Sequence, residues 1–168
     1  MRYRLDVVAP SVTEAVMFAG GWLFDRVMAG WDVTVLVAEH SDHRPLQILG
    51  VEALDLEHGL ASWGRRARPQ SLAVATDLFD RDSRVRLGVL KALDHGATEV
   101  TLWGTKWPAE LDKTVESVQH RLSAAARAFK AQALAAAAVR DVAVEPTETF
   151  RSGTTTRSSV AADLTPAS

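Results

Sequence analysis

The sequence predicts an α/β domain, built as a three-layer α/β/α sandwich around a five-stranded parallel sheet. Short apolar runs rich in β-branched residues alternate with helical stretches, which is the pattern of strands joined by crossover helices. The run at residues 71–76 is almost wholly apolar, as in a parallel strand that is buried on both faces. Ser11 and Glu14 have the spacing of a capping box, which marks the start of the first helix.

The predicted elements follow one another along the chain. The first strand is expected at residues 5–9 and the first helix at residues 11–28, with Gly20 and Gly21 near its middle. Two glycines there cost roughly 1 kcal/mol each relative to alanine, so they indicate either close packing or a break. The other strands are predicted at residues 32–37, 51–56, 71–76 and 99–103. Strands joined by helices are parallel with right-handed crossovers, and we expect the flavodoxin-like strand order 2-1-3-4-5.

Composition limits the classes of function. The formal net charge of −2 argues against a nucleic-acid or membrane partner that is bound mainly by electrostatics. Because the chain has no cysteine, disulfides, thiolate zinc sites and a cysteine nucleophile are excluded. The first apolar run is too short for a signal peptide, and no window approaches the ~18 consecutive apolar residues of a membrane span. We therefore expect a soluble, cytoplasmic protein.

Ligands of parallel α/β sheets bind outside the carboxyl ends of the strands, where the strand order reverses. The candidate ligand edge consists of Ser11, Thr13, Glu14, His40, Asp42 and Asp77. Within residues 39–43, two histidines and two carboxylates could hold a metal, although the turn-forming residues and Pro45 favour a solvated loop. We expect no metal and no cofactor, because no cluster of residues specifies a reaction.

Residues 84–111 carry a resemblance to the receiver domains of response regulators. In this stretch a helix ends at Gly96, a strand follows, and Lys106 precedes a proline and a further helix start, as in receivers. The resemblance implies that Asp55 occupies the phospho-acceptor position. It also implies that Thr76 and Lys106 occupy the switch positions.

The chain departs from the receiver pattern after the first strand. Receivers bind magnesium there through an acidic pair, whereas this chain has Ala9, Pro10 and Ser11. Alanine and proline cannot coordinate magnesium, and without the ion the charge on a transferred phosphoryl group is not neutralised. The resemblance therefore implies a pseudo-receiver, a non-enzymatic signalling or scaffold module. Such a module would act by dimerisation and by contacts with a protein partner that the sequence does not identify.

An alternative hypothesis is a small nucleotide- or cofactor-binding α/β protein, or an enzyme, that uses the carboxyl edge of the sheet. Gly20, Gly21 and the strand at residues 33–36 resemble the opening of several ligand-binding families, including sugar deacetylases that bind zinc. Those deacetylases carry a His-Pro-Asp-Asp motif where residues 9–12 here are alanine, proline, serine and valine, so the metal ligands are missing. A structural subunit of a larger complex is a third possibility.

Beyond residue 108 the sequence predicts a long final helix and a disordered tail. An apolar stripe continues to about residue 138, so the helix would be roughly 45 Å long and would overhang the sheet. The stripe residues expected to form a homodimer interface are Leu111, Val115, Val118, Leu122 and Phe129. From residue 144 serine, threonine and proline dominate, which is typical of disorder. The predicted units are residues 1–122, a helical extension at 123–143 and a tail at 144–168.

Overall fold

The computed structural model describes residues 2–63, 65–111, 115–153 and 163–167. In these residues the central element of the fold is an eight-stranded mixed sheet. The strands are β1 (Arg4–Ala9), β2 (Asp32–Val37), β3 (Glu52–Asp55), β4 (Ser71–Ala75), β5 (Glu99–Trp103), β6 (Glu116–Arg121), β7 (Thr147–Gly153) and β8 (Thr165–Pro166). The helices are α1 (Val12–Met28), α2 (Arg44–Ile48), α3 (Leu56–Trp63), α4 (Thr76–Arg81), α5 (Ser83–His95) and α6 (Ala124–Ala136), with a 3₁₀ helix at Ala109–Leu111. The longest described helix, α1, has 17 residues, and none of the described helices combines the length and hydropathy of a membrane span.

Alternate residues of the parallel strands face two separate cores. Val7 and Val35 lie in the core that also contains apolar side chains of α1, α2 and α6. Val8 and Leu36 point to the other face and pack with apolar side chains of α3, α4 and α5. Because helices cover both faces, the central strands are apolar on both sides.

The strand order is β3-β2-β1-β4-β5-β7-β6-β8, in which β1 to β5 are parallel and the remaining neighbours pair antiparallel. The predicted five-stranded, flavodoxin-like order 2-1-3-4-5 is therefore wrong. In that order β3 would lie beside β1, but β4 takes this place and β3 lies beyond β2 at the edge. Burial is the physical reason, since β3 has an exposed Glu52 and three half-buried residues, whereas β4 is buried throughout.

The predicted long C-terminal helix is also wrong. Its stretch forms the 3₁₀ helix, then β6, then α6, which has only 13 residues. Ser123 begins α6 anew, because its Oγ accepts a hydrogen bond from the Ala126 N–H at 3.0 Å. The stripe residues lie on or between these separate elements: Leu111, Val115, Val118, Leu122 and Phe129. The homodimer stays a prediction, without the support of an overhanging helix.

Part of the segment predicted as a disordered tail is an ordered strand. β7 pairs with β5 on one side and with β6 on the other. Its alternate residues Glu148 and Phe150 are buried, which is why this polar stretch belongs to the sheet. Residues 154–162 of the predicted tail lie outside the described residues.

A buried ion pair contacts the backbone in the middle of α1. Glu148 accepts hydrogen bonds from the N–H groups of Gly21 and Trp22, at 2.8 and 2.7 Å. Lys130 Nζ donates to Glu148 at 2.7 Å and to the carbonyl of Met17, also at 2.7 Å. That carbonyl is the acceptor that an α-helix ordinarily provides for the Gly21 N–H. Side chains from β7 and α6 thus stabilise the helix at the point where glycines weaken it.

Close packing explains the second glycine of α1. A Cβ at Gly21 would overlap the side chain of Leu122, which is buried between β6 and α6. The helix continues through both glycines without a break. Of the two explanations that the sequence left open, close packing is therefore the correct one at Gly21.

Arg26 is a second buried charge that joins distant parts of the chain. Its guanidinium lies between the rings of Trp22 and Trp31, 4.7 and 4.2 Å from their centroids. It donates to Glu99 at 3.0 Å and to the two carboxylate oxygens of Asp163 at 2.6 and 2.9 Å. The Arg26 side chain of α1 thereby connects this helix to β5 and to the segment before β8.

Replacement of Lys130 by methionine should lower the free energy of unfolding by about 3–5 kcal/mol, because it leaves the buried Glu148 carboxylate without its cation. Urea unfolding followed by circular dichroism measures the loss. In the double variant with Glu148→Gln, the two losses should not add, since the residues are in direct contact. The control Lys106→Met removes an exposed lysine and should change stability by less than about 0.5 kcal/mol. Equal losses in Lys130→Met and Lys106→Met would contradict the assigned role.

Candidate functional site

The parallel part of the sheet reverses its strand order between β1 and β4. β2 and β3 lie on one side of β1 in the sheet. β4 and β5 lie on its other side. Open α/β sheets bind their ligands in the crevice outside the carboxyl ends of such strands. α1 begins at this crevice after β1, and α4 begins there after β4.

Glu14 lies in the first turn of α1 beside the crevice. Its backbone N–H donates to Oγ of Ser11, the N-cap residue, at 3.1 Å. Partial burial raises the pKa of the Glu14 carboxyl, and the neighbouring carboxylate of Asp77 acts in the same direction. The indole of Trp103 and the guanidinium of Arg81 oppose this rise in the pKa. Glu14 therefore keeps its proton to a higher pH than an ordinary glutamate does.

β5 ends at the crevice in a buried tryptophan followed by a glycine. The indole N–H of Trp103 makes no hydrogen bond of regular geometry with the described residues, although it lowers the pKa of Glu14. A buried donor that lacks a partner costs about 1–3 kcal/mol. Gly104 has φ +146°, and a Cβ there would overlap the hydroxyl of Thr76. Only glycine therefore lets the end of β5 approach the start of α4.

A cavity of about 480 Å³ adjoins the crevice, among α1, α6 and β7. Gly104 lines it, and so does Met17, which lies one turn beyond Glu14 on α1. The wall combines apolar and charged side chains, among them Phe18, Trp107, Lys130, Leu134, Phe150 and Arg151. A volume of this size is in the range that accommodates a small organic ligand.

The predicted ligand-edge residues fall into two groups. The structure places four of them at the crevice, at the starts of α1 and α4: Ser11, Thr13, Glu14 and Asp77. His40 and Asp42 lie in the exposed loop after β2, where His40 Nε2 is 3.8 Å from Oδ2 of Asp55. Within the described part of the chain, no three His, Cys, Asp or Glu side chains form a group that could hold a metal. A role of the four crevice residues in binding stays a prediction.

The receiver-like positions do not come together. Asp55 ends β3 at the edge of the sheet, and Thr76 follows β4, three strand positions away. At about 4.8 Å per strand, this separation is roughly 14 Å across the sheet. Lys106 is exposed in the loop after β5. The expected phospho-acceptor site would need the third strand beside the first, so this fold does not form it.

Sequence reasoning misses two residues of the crevice, Trp103 and Gly104. A tryptophan at the end of an apolar strand predicts only a place in the core, and a following glycine predicts only a turn. Their importance depends on the position of the indole N–H beside Glu14 and on a positive φ, and neither has a sequence signal. The cavity residues on β7 are missed as well, because they belong to the segment predicted as a tail.

Solved structures of deacetylases share this fold. The A40926 pseudoaglycone deacetylase Dbv21 matches with a TM-score of 0.58 and 16% sequence identity, over 90% of this chain and 97% of that chain. A deacetylase of teicoplanin biosynthesis in complex with teicoplanin matches with a TM-score of 0.58 and 13% identity, over 91% and 99% of the two chains. The zinc-inhibited form of teicoplanin deacetylase Orf2 matches with a TM-score of 0.59 and 12% identity, over 92% and 100%. No family model matches the chain, and no curated protein matches its sequence.

These similarities define the class of fold as deacetylase-like. The receiver interpretation is wrong, because the similar structures are deacetylases and the sheet order is not that of a receiver. The response-regulator and signal-transduction role that depended on it falls with it. The alternative hypothesis, a ligand-binding protein or enzyme that uses the carboxyl edge of the sheet, is compatible with this fold.

The crevice does not fit a zinc ion. Zinc in proteins is bound by cysteine, histidine and acidic side chains. The zinc-binding sugar deacetylases compared in the sequence analysis carry a His-Pro-Asp-Asp motif. At the same position this chain has Ala9, Pro10, Ser11 and Val12. Val12 is buried, and Oγ of Ser11 already accepts the hydrogen bond that caps α1. Glu14, in the first turn of α1, is an ionisable side chain that does lie beside the crevice.

The raised pKa of Glu14 predicts a pH-dependent effect of replacing it. The carboxyl titrates near pH 4.5 in the unfolded chain and at a higher pH in the fold. Its contribution to stability is therefore complete below about pH 4.5 and is lost as the pH rises through the folded pKa. Because Glu14→Gln stays neutral throughout, the Tm of this variant minus that of the wild type should increase between pH 4.5 and about pH 8.

The control for this measurement is Glu116→Gln, at an exposed position on β6. Thermal denaturation across the same pH range should show a constant Tm difference for that variant. A Tm difference for Glu14→Gln that decreases with pH would show that the fold favours the ionised carboxylate instead.

Proposed function

We propose that the chain binds a small polar ligand with amine and hydroxyl groups, such as an amino sugar, in the crevice between β1 and β4. The observation that carries the proposal is the half-buried Glu14 carboxyl beside the indole N–H of Trp103, which interacts with that carboxyl but makes no hydrogen bond of regular geometry with the described residues. An ionised carboxylate only accepts hydrogen bonds, and an indole N–H only donates. A ligand with an amine and hydroxyl groups can donate a hydrogen bond to the carboxylate from its amine and accept one from the indole N–H at a hydroxyl oxygen.

The charges around Glu14 favour a cationic ligand over an anionic one. The carboxylates of Glu39 and Asp77 both lie close enough to raise the pKa of Glu14. Arg81, a cation that acts on Glu14, is already paired with Asp77 at 2.7 Å. An ammonium group therefore gains a charge-assisted hydrogen bond here, roughly twice as strong as a neutral one. The same carboxylates repel anionic ligands.

The adjoining cavity supplies room for an apolar part of the same ligand. Phe18 and Leu134 give it apolar walls, and the Trp107 ring at its side is held by Arg151, whose guanidinium lies 4.3 Å from the ring centroid. Aromatic and aliphatic walls with a few polar groups are typical of small-molecule sites. The proposed ligand therefore places its amine at the crevice and an apolar substituent in the cavity.

The deacetylase-like fold supports the choice of an amine. The similar solved structures are deacetylases, and removal of an acetyl group from nitrogen leaves an amine. The proposed ligand thus has the chemistry of a deacetylation product. Residues 9–12 do not supply a set of zinc ligands, so the donor set favours binding over hydrolysis by metal-activated water.

Calorimetric titration with glucosamine and with glucose tests this proposal. The wild type should bind glucosamine more tightly than glucose, which lacks the amine. Glu14→Gln should weaken glucosamine binding by about ten- to a hundredfold, the equivalent of one charged hydrogen bond, and leave glucose almost unaffected. Glu116→Gln should change neither affinity. The proposal fails if glucosamine does not bind, or if it binds Glu14→Gln as tightly as the wild type.

Acid–base catalysis by Glu14 is a second candidate function, favoured by the raised pKa of its carboxyl. The ionised carboxylate can take a proton from a water molecule as the water oxygen bonds to the amide carbon, and the carboxyl so formed can give that proton to the nitrogen as the carbon–nitrogen bond breaks, which leaves acetate and an amine. Amide hydrolysis is the reaction that would use both steps. This function needs the same crevice and the same orientation of the ligand amine.

Acetate release from N-acetylglucosamine, measured in excess EDTA, tests the catalytic candidate. Turnover above the buffer rate is expected for the wild type, and Glu14→Gln should reduce it by about 10²- to 10⁴-fold. The control Glu116→Gln should keep the wild-type rate. Release at the buffer rate alone would eliminate acid–base catalysis and leave the binding proposal intact.

A further inference from the structure

A second concave surface lies at the amino ends of β4 and β5, whereas the crevice lies at the carboxyl ends of the strands. It is formed by the end of α3, the loop that leads into β4, and the outer face of α5. Its volume is about 490 Å³. We define this basic groove by Trp63, Arg66, Arg68, Leu87, Gly88 and Lys91.

Three of the residues that line the basic groove are exposed cations. Arg66, Arg68 and Lys91 are exposed and form no ion pair with the residues that the structure describes. Arg84, at the rim, is held instead by Glu57, with two contacts of 2.8 Å. On a chain with a formal net charge of −2, three unpaired cations at one cavity are a local excess of positive charge. An anion placed among them relieves their mutual repulsion.

The lining of the basic groove also includes aromatic and apolar residues. Trp63 is half-buried and lies against Gly88 of α5, where a Cβ would come within 2.8 Å of the indole ring. A glycine inside a helix costs roughly 1 kcal/mol, and here it lets the indole lie directly on the helix. Leu87, next to it, is 57% exposed. The groove therefore presents a flat ring and an uncovered apolar side chain beside its cations.

We propose that the basic groove binds a nucleoside phosphate. The guanidinium groups of Arg66 and Arg68 provide the planar forks that bind phosphate oxygens in pairs, and Lys91 adds a point charge. The Trp63 ring and Leu87 provide the surface on which a base packs, and base–aromatic stacking contributes about 1–3 kcal/mol. The volume of the groove is in the range of small-ligand sites. This ligand is opposite in charge to the one proposed for the crevice, so the two sites do not compete.

Calorimetric titration of the full chain with ADP, without added metal, tests the proposal, with pyrophosphate and adenosine as the two partial ligands. ADP should bind at least fivefold more tightly than pyrophosphate and at least tenfold more tightly than adenosine. The triple variant Arg66→Gln, Arg68→Gln, Lys91→Gln should weaken ADP binding at least thirtyfold. Trp63→Leu should reduce ADP to the affinity of pyrophosphate and leave pyrophosphate unchanged.

The matched control is the triple variant Arg121→Gln, Arg127→Gln, Arg140→Gln, which removes the same charge from exposed positions outside the basic groove. It should keep the affinity for ADP within twofold. Glucosamine should not displace ADP, which separates this site from the crevice. The proposal is overturned if ADP does not bind, if both triple variants weaken it equally, or if pyrophosphate binds as tightly as ADP.

Discussion

The contact of the Lys130–Glu148 pair with the backbone of α1 is the constraint on which the rest of the structure depends. Each charge is satisfied more than once, since Glu148 accepts from two backbone N–H groups as well as from the ammonium, which also donates to the Met17 carbonyl. Such saturation is what makes a buried ion pair tolerable. The lysine comes from α6 and the glutamate from β7, so the pair fixes the antiparallel part of the fold to the helix that begins at the crevice. The wall of the adjoining cavity is formed by the same contact.

Much of the parallel sheet follows from local sequence. Each of the five parallel strands lies within one residue of its predicted bounds, because buried strands need continuous apolar runs and the half-buried β3 keeps an alternating pattern. Strand order is not local, and the acidic residues Glu52 and Asp55 of β3 were the available signal for an edge. The C-terminal region depends on pairing between distant residues, such as Gln119 with Thr149. Apolar residues three and four positions apart in this region fit a helix. Residues 116–121 form a strand instead because they pair with β7.

The candidate site was predictable in position and not in chemistry. Parallel strands and a capping box place Ser11 and Glu14 at the carboxyl edge, as the sequence indicates. The pKa of the Glu14 carboxyl is raised first by burial and then by Asp77 after β4, and it is opposed by Trp103, which is far away in sequence. Absent metal ligands at residues 9–12 are visible in the sequence, but their meaning changes with the fold. In a receiver they would signify lost phosphorylation, whereas in the observed fold they mean that residues 9–12 do not supply the metal ligands of the sugar deacetylases.

The contacts of the buried Arg26 side chain have a consequence for synthesis of the chain on the ribosome. The guanidinium and its two stacking indoles, Trp22 and Trp31, emerge early, whereas Asp163 follows more than 130 residues later. Until then Glu99 is the acidic partner available to a cation that the finished fold buries completely. A nascent chain cannot close this part of its core at full strength while Asp163 is missing. Until residue 163 has been synthesised, the core around Arg26 therefore stays incompletely packed, as in the folding intermediates that chaperones bind.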